Sequence, residues 1–233
     1  MKKKIGIVGG LSPESTVSYY LYITRNYTER YGNYDYPEII IYSVSLENYH
    51  KWRRLDRWDL IVDDLVSCFK KLEKAGADFG LIATNTMHKV FEHVADAIDL
   101  PLINIIDETA IKANESGLKT VGLLGTKYTM SDGFYQERLS KFDVTAIVPN
   151  SEQQEVVHKI IVEELVRGQF LRRSKDRYIE IIHDLVSRGA EGIILGCTEI
   201  PLLVKEEDLA VQLLDTATIH SEAALKASVN KNI

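Results

Sequence analysis

Long apolar runs, cysteine-rich segments and basic blocks are all missing from this sequence. No run approaches the roughly 18 apolar residues that a membrane-spanning helix needs. The two cysteines, Cys68 and Cys197, are too few for a disulfide scaffold, so we expect free thiols in a reducing, cytoplasmic setting. The formal net charge is -6 and the charges are interspersed, which argues against a nucleic-acid partner. We therefore expect neither membrane nor nucleic-acid contacts.

Signals for bound metals, nucleotides and secretion are also missing. His88, His93 and His220 have no ligand spacing with cysteines or carboxylates, so we predict no metal site. The pair Gly9-Gly10 departs from G-x-G-x-x-G and lacks the lysine of a phosphate-binding loop. Three lysines follow Met1, but the apolar stretch behind them is too short for a secretory signal.

Two stretches of the chain share one construction, an apolar run that stops abruptly in small polar residues. The first covers 80–88 and has Thr84 directly after the run. The second covers 192–201 and has Cys197 in the same place. Buried parallel strands have this pattern where they emerge at the carboxyl edge of a sheet, which is where α/β proteins place their chemistry.

The rest of the chain extends this similarity into a repeat. Ile5-Gly6-Ile7-Val8-Gly9 is matched by Val121-Gly122-Leu123-Leu124-Gly125, 116 residues later, and Cys197 lies 113 residues after Thr84. We predict an α/β fold of two pseudo-symmetric, doubly wound, Rossmann-like domains with parallel sheets, formed by duplication. The first domain comprises 1–104 plus 215–233, and the second comprises 105–214. The active site is expected in the cleft between the two carboxyl edges.

Apolar patterning and helix-end signals predict the individual elements. Ser12 is predicted to cap the first helix, with Pro13 at its first position. The segment 51–58, rich in arginine and tryptophan, is predicted to be a loop or lid. The predicted strands are 4–10, 38–44, 78–83, 100–107, 119–126, 144–148, 191–195 and 211–215. The predicted helices are 13–30, 60–75, 87–98, 129–142, 152–168, 172–188 and 216–229, and 201–204 is predicted to begin a short helix or turn.

A pseudo-symmetric cleft suits a reaction that treats two faces of one carbon alike. Moving a proton from one face to the other needs two acid/base groups on opposite sides of a planar carbanion. A thiol can serve, because nearby donors and helix N-termini lower its pKa. Cys197 stands between a strand end and a predicted helix entry, so we expect a lowered pKa there. Cys68, on the apolar face of a helix, is expected in the core.

The motifs that frame these residues resemble the aspartate/glutamate racemase family. They are Gly-Gly-Leu-Ser-Pro-Glu-Ser-Thr at 9–16, Thr-Asn-Thr-Met-His at 84–88, Leu-Leu-Gly-Thr at 123–126 and Gly-Cys-Thr-Glu at 196–199. The resemblance implies an Asp/Glu racemase-like fold, no pyridoxal phosphate or other cofactor, and a homodimer. It also implies an acidic amino acid, aspartate or glutamate, as the small-molecule substrate.

This sequence departs from the family at one catalytic position. The family usually has cysteine in both motifs, whereas Thr84 stands in the first and Cys197 in the second. A threonine hydroxyl is far less acidic than a thiol. The resemblance therefore implies an asymmetric catalytic pair, in which Cys197 removes the proton of the L-isomer and Thr84 reprotonates the other face. The reverse direction, from the D-isomer, is expected to be slow.

Other polar residues are candidates for binding the substrate. Asn85, Thr86 and Thr198 flank the two catalytic positions and can hold the α-carboxylate and ammonium. Ser12 and Thr126, on equivalent glycine loops, are expected to line the cleft. Glu199 is either a helix-end charge or a partner that tunes Cys197. The cation for the distal carboxylate is expected among Arg53, Arg54 and Arg167, since Val166 or Arg167 stands where the family often has lysine.

Alternative roles for these residues, and alternative functions for the protein, stay open. Cys197 can be a buried apolar residue and Thr84 a helix cap, with water supplying the second proton. A single-cysteine decarboxylase or cis–trans isomerase of small dicarboxylates needs only one thiol. An amino-acid-binding protein needs no base at all.

Overall fold

A computed structural model describes residues 2–229 of the chain, which form alternating strands and helices. Met1 and residues 230–233, which the predicted first domain includes, lie outside the described residues. Within the described part, no helix is long and apolar enough to cross a membrane.

Two compact units divide the chain between them. One holds the residues up to Ile105 and those from His220 onward, and the other holds Ile106–Ile219. The predicted boundaries, at 104/105 and 214/215, lie one and five residues earlier in the chain. Both crossings fall inside helices, close to their N-terminal ends.

The first unit begins with a strand that is buried along its whole length. Because β1 (Ile5–Gly9) lies in the middle of a parallel sheet, it is apolar on both faces. It is followed by α1 (Pro13–Tyr31), β2 (Ile39–Ser43), α2 (Leu46–Arg54), α3 (Trp58–Lys74), β3 (Phe79–Ile82), a 3₁₀ turn (Thr86–Val90), α4 (Phe91–Ala95) and α5 (Ile105–Glu115), the last of which leads into the second unit.

The sheet of this unit has the order β2-β1-β3, with Ile7 of β1 paired to Ile41 on one side and Leu81 on the other. Helix α3 packs its predicted apolar face on this sheet, and its Leu65 and Phe69 are fully buried. Cys68 belongs to the same core, as predicted, and burial raises its pKa to about 12.

The predicted strand 100–107 is wrong. A single isolated bridge joins Leu102 to Gly80, and α5 begins at Ile105. Pro101 has no N–H to donate, and only its carbonyl bonds to the Gly80 N–H, at 2.8 Å. The apolar residues that follow are buried as the first turn of a helix, and a short apolar run does not distinguish that from a strand.

The prediction of a loop at 51–58 is correct only for 55–57, since α2 ends at Arg54 and α3 begins at Trp58. Tyr49 is buried and donates a hydrogen bond to Asp64 of α3 at 2.8 Å. Trp52 lies one turn further along α2 and packs on the same core. Lys51, Arg53 and Arg54 lie on the amphipathic helix α2, and these charges concealed its apolar face in the sequence.

Several predicted helices are shorter or interrupted. The region predicted as 87–98 divides into the 3₁₀ turn and α4. The region 129–142 divides into α6 (Lys127–Ser131) and α7 (Phe134–Ser140), because Gly133 adopts a φ of 80°. The helix predicted to end at Gly168 is α8 (Ser151–Glu163), followed by a 3₁₀ turn at Leu165–Arg167.

The second unit repeats the strand order of the first. Its strands are β4 (Thr120–Gly125), β5 (Thr145–Ile147), β6 (Gly192–Gly196) and β7 (Gln212–Asp215), and its parallel sheet has the order β5-β4-β6-β7. The first strand of the unit therefore again lies between the second and the third. The predicted α/β fold, with parallel sheets in two groups, is therefore confirmed. Its remaining helical elements are α9 (Arg172–Ser187), α10 (Ile200–Leu203), a 3₁₀ turn (Glu206–Asp208) and α11 (Thr216–Val229), which returns to the first unit.

Candidate active site

Thr84 follows the carboxyl end of β3, and neighbouring backbone bonds hold its peptide. The Thr84 N–H donates to the Ile82 carbonyl at 2.8 Å. The Ala83 N–H donates to Val8 of β1 at 3.0 Å, and the Ala83 carbonyl accepts the Ser15 hydroxyl at 2.9 Å. Thr84 itself is half-buried. The strand end therefore has a fixed backbone, while the hydroxyl-bearing residue stays partly accessible.

The glycine loop after β1 lies beside this strand end. Gly10 has a φ of 79°, and a Cβ at this position would overlap the Val44 carbonyl oxygen. The Gly10 N–H donates to the Thr16 hydroxyl at 2.8 Å. Ser12 caps α1, as predicted, because its Oγ accepts the Ser15 N–H at 3.2 Å.

The equivalent loop of the second unit is built in the same way. Thr126 follows β4 and caps α6, with its Oγ1 accepting the Thr129 N–H at 3.5 Å. Ser12 and Thr126 are thus matched by structure as well as by sequence. Both hydroxyls serve local helix caps at the carboxyl end of a first strand.

Asn85 and Thr86 continue the turn after Thr84 and are both buried. The Asn85 carbonyl accepts the His88 N–H at 3.0 Å, and Thr86 begins the 3₁₀ turn. These residues lie at the same sheet edge as Ser12 because β1 and β3 are neighbours in register.

Cys197 follows the carboxyl end of β6 and contacts a buried carboxylate. Its Sγ donates to Glu199 Oε2 at 3.0 Å, and the Thr198 hydroxyl donates to the same oxygen at 2.9 Å. Glu199 is 3% exposed and Cys197 is 9% exposed. The side chains of two consecutive residues, Cys197 and Thr198, therefore converge on one carboxylate oxygen of the residue that follows them.

The electrostatics of this cluster correct the expected pKa direction. Burial, and then the charge and hydrogen bond of Glu199, raise the pKa of the Cys197 thiol well above its ordinary value. The backbone donors of Thr198 and Glu199 act in the opposite direction and are outweighed. Helix α10 has only four residues, so its N-terminus adds little to offset this. At neutral pH the thiol carries its proton.

The three candidate arginines have different surroundings. Arg54 lies at the end of α2, is exposed, and pairs with Glu47 at 3.0 Å. Arg53 is half-buried on the same helix, which follows the carboxyl end of β2. Arg167 is exposed in the 3₁₀ turn after α8. Arg53 is thus the more enclosed of the two arginines on α2.

Some supporting residues were not assigned by the sequence. Ser15 was placed only as a residue of the first helical turn, and nothing in the pattern indicated its bond to Ala83. His88 was considered only as a metal ligand, although its spacing of four residues from Thr84 could have indicated a contact. Within residues 2–229, no group of three or more histidine, cysteine, aspartate or glutamate side chains is placed to hold a metal ion.

Two repeated parallel-sheet units, one with a thiol and a carboxylate at a strand end, define an α/β protein equipped for proton transfer. The chain belongs to the Asp/Glu/Hydantoin racemase family, whose model matches residues 8–224. This membership confirms the predicted family and the predicted enzyme class, an isomerase of the amino-acid racemase type.

Individual relatives cover almost the whole chain. The broad specificity amino-acid racemase RacX of Bacillus subtilis is 26% identical over 219 residues, which are 91% of this chain and 92% of that protein. A candidate Asp/Glu racemase from Yersinia pestis is 38% identical with a TM-score of 0.92, covering 98% of this chain and 100% of that one. An aspartate racemase homologue from Pyrococcus horikoshii is 38% identical with a TM-score of 0.86, covering 99% and 100%.

Proposed function

We propose that this chain racemises an acidic amino acid, aspartate or glutamate, without a cofactor. Cys197 acts as the base on the L-isomer, and Thr84 acts on the opposite face of the same α-carbon. The observation that carries the proposal is the 3.0 Å contact between Cys197 Sγ and Glu199 Oε2. Membership of a racemase family supplies the reaction type.

On the Cys197 side, Glu199 supplies the acceptor that the thiol needs. A thiol with a raised pKa is protonated at rest and is not yet a base. Transfer of its proton to the carboxylate oxygen 3.0 Å away generates the thiolate inside the site. The thiolate then takes the α-proton of the L-isomer, and the Thr198 hydroxyl helps to hold the carboxylate in place.

On the Thr84 side, the hydroxyl works as a relay. It gives its proton to the planar carbanion and recovers one from water, so no threonine alkoxide accumulates. The thiol then holds the proton that came from the substrate, and the proton on Glu199 returns to solvent. Each turnover exchanges one carbon-bound proton for one from water, and the enzyme returns to its starting state.

The asymmetry between the two groups has a limit set by thermodynamics. Two enantiomers have equal free energy in water, so kcat/KM for inversion is equal in the two directions. The predicted slowness from the D-isomer therefore cannot appear in kcat/KM for inversion. It must appear in the rate at which each isomer exchanges its α-proton with retention of configuration. The L-isomer can lose its α-proton to Cys197 and regain a solvent proton on the same face. The D-isomer must react through Thr84, so its exchange with retention is slow.

Binding roles for the remaining residues complete the proposal. The distal carboxylate pairs with an arginine, and among the candidates Arg53 fits best because it is half-buried, whereas Arg54 and Arg167 are exposed. The α-carboxylate and ammonium are held by polar groups that follow the strands: Ser12 and Thr126 on the glycine loops, Asn85 and Thr86 after β3, and Thr198 after β6. Arg54 and Arg167 are the other candidate cations for the distal carboxylate.

The same proposal includes a homodimer that works in the cytoplasm on a free small molecule. Two free buried thiols, Cys68 and Cys197, suit a reducing compartment. Sedimentation of the purified protein tests the dimer directly, and a monomer at micromolar concentration would remove this part of the proposal.

The test is α-proton exchange in deuterated water, followed by NMR, with L-aspartate, L-glutamate and a neutral amino acid. We expect exchange with an acidic substrate, loss of exchange in Cys197→Ala, and retention of it in Cys68→Ala, whose parent side chain is fully buried in the core. Equal rates with the neutral amino acid would reject the acidic preference and match the specificity named for RacX. Absence of exchange with all substrates would reject the racemase.

A further inference from the structure

His88 joins two pieces of backbone through its two ring nitrogens. Nδ1 lies 2.8 Å from the Thr84 carbonyl oxygen, and Nε2 lies 3.2 Å from the amide nitrogen of Ile105. Because the Ile105 N–H needs an acceptor, Nε2 carries no proton. Nδ1 therefore carries the proton and donates it to the Thr84 carbonyl. A single neutral tautomer satisfies both bonds.

The imidazole ring is held in this orientation by its neighbours. It is 4% exposed and stacks on Phe91 with 5.3 Å between ring centroids and 9° between planes. The His220 ring meets its edge at 5.9 Å. His220 is itself fixed, since Nε2 donates to the Ile103 carbonyl at 3.0 Å and Nδ1 accepts the Tyr19 hydroxyl at 2.8 Å. Rotation of His88 would therefore break both of its bonds and its packing.

The bond from His88 holds the Thr84 carbonyl and so completes the fixing of the backbone around this residue. The bonds from Ala83 and from the Thr84 N–H hold the preceding peptide, while His88 holds the peptide that follows. With both peptides fixed, the Cα–Cβ direction of Thr84 is set, and only its side-chain torsion stays free. A displacement of about 1 Å in a reacting group can lower a rate by about 10²-fold.

We propose that His88 is a positioning residue for Thr84, whose Nδ1–H bond to the Thr84 carbonyl aims the hydroxyl at the α-carbon. This inference rests on the proposed racemase function. His88 transfers no proton in this role and does not touch the substrate. It controls how often the carbanion is reprotonated on the Thr84 face rather than returned to the L-isomer by Cys197.

Two conservative variants separate the two bonds of His88. The amide nitrogen of asparagine reaches the place of Nδ1, whereas the amide end of glutamine reaches the place of Nε2. His88→Asn therefore keeps the donor to Thr84, and His88→Gln keeps only the contact with Ile105. His93, exposed on α4 of the same unit, supplies the matched controls His93→Asn and His93→Gln.

The readout is a ratio measured within one sample. Incubation of the L-isomer in deuterated water yields deuterated L-isomer by washout through Cys197 and D-isomer by inversion through Thr84. We expect His88→Gln to lower the ratio of inversion to washout by about tenfold or more, and His88→Asn to keep it within about threefold of the wild-type value. A loss of folded protein lowers both products together and leaves the ratio unchanged.

Other results would overturn the inference. An unchanged ratio in His88→Gln would show that the Thr84 carbonyl bond does not aim the hydroxyl. An equal fall of the ratio of inversion to washout in His88→Gln and His88→Asn would show that the bond to the Thr84 carbonyl does not determine this ratio. Absence of washout in the wild-type protein would reject the racemase proposal itself, which is a distinguishable outcome.

A second measurement needs no activity. Nitrogen-15 correlation spectra of the imidazoles distinguish the two neutral tautomers, and the bonds require Nδ1–H for His88 and Nε2–H for His220. Finding the Nε2–H tautomer for His88 would contradict the inference, because that ring has no proton to donate to Thr84.

Discussion

The Cys197 sulfur lies 3.0 Å from a Glu199 carboxylate oxygen, and both side chains are almost fully buried. This contact has two opposing effects. The negative charge raises the pKa of the thiol, which disfavours the thiolate, yet the same oxygen is placed to receive the thiol proton. Removing the charge while keeping the shape of the side chain separates the two effects.

Glu199→Gln is expected to change thiolate formation and catalysis in opposite directions. Without the carboxylate, the pKa of Cys197 falls, so alkylation by iodoacetamide at pH 8 becomes faster. Exchange of the L-isomer falls by about 10²-fold, because the internal proton acceptor is lost. Peptide mass spectrometry measures alkylation at Cys197, and NMR measures the exchange.

Glu206→Gln, in an exposed 3₁₀ turn of the same unit, is the matched control and should change neither rate. If exchange in Glu199→Gln instead rises together with alkylation, Glu199 only opposes the thiolate and takes no proton.

The raised pKa of Cys197 also predicts how alkylation depends on pH. The thiolate is the reactive form, and below its pKa the thiolate fraction grows about tenfold per pH unit. We expect the rate at Cys197 to rise through pH 7–9 without a plateau. Cys68, with a pKa of about 12, should stay unmodified throughout. A plateau below pH 8 would mean that the thiol is more acidic than its surroundings indicate.

His220 is expected to make the first unit sensitive to acid. Burial lowers the pKa of this histidine from 6.5 to about 4, so the folded state holds the neutral ring between Tyr19 and Ile103. The unfolded chain binds a proton below pH 6.5, whereas the folded chain does not until about pH 4. The stabilisation is therefore fully present above pH 6.5 and is lost as the pH falls toward 4.

The size of this effect follows from the two pKa values. The difference between 6.5 and about 4 corresponds to about 3 kcal/mol of unfolding free energy. Urea denaturation at pH 7 and pH 4 should show the gap between wild type and His220→Gln shrinking by about this amount. The exposed His93→Gln should show no such change. A pH-independent gap would show that the pKa of His220 is the same in the folded and unfolded states.

Gly10→Ala is expected to be more damaging than Gly76→Ala, although both glycines have positive φ, 79° and 96°. Strain from that conformation is shared and amounts to about 1–3 kcal/mol. At Gly10 the new Cβ also overlaps the Val44 carbonyl oxygen, whereas at Gly76 nothing lies within 4 Å. Thermal denaturation should show the larger loss of stability for Gly10→Ala. Equal losses of stability in the two variants would show that the overlap with Val44 adds no cost.

Much of the fold was predictable because four of its strands, β1, β3, β4 and β6, are almost entirely buried. Apolar runs that end in small polar residues correctly located β3 and β6, and the repeat indicated two similar parallel sheets. The run 100–107 was misassigned because burial alone does not distinguish a strand from the start of α5. Helix α2 was missed because its charges outnumber the few aromatic residues that hold it.

The places of the candidate residues in the fold were predictable, but their electrostatics were not. Thr84 and Cys197 were located from their places after strands. The direction of the thiol pKa was wrong, because it depends on burial and on where the Glu199 side chain points. The ring contacts of His88 were not visible either, since they involve Ile105, distant in sequence.

The most direct test of the account compares α-proton exchange with retention for the L- and D-forms of one acidic amino acid, in deuterated water and in separate samples. The account predicts that the L-form exchanges at least about tenfold faster, since a thiolate is a far stronger carbon base than a threonine hydroxyl near neutral pH. Equal exchange rates for the two forms would show that Thr84 works as a true base and would contradict the asymmetric mechanism.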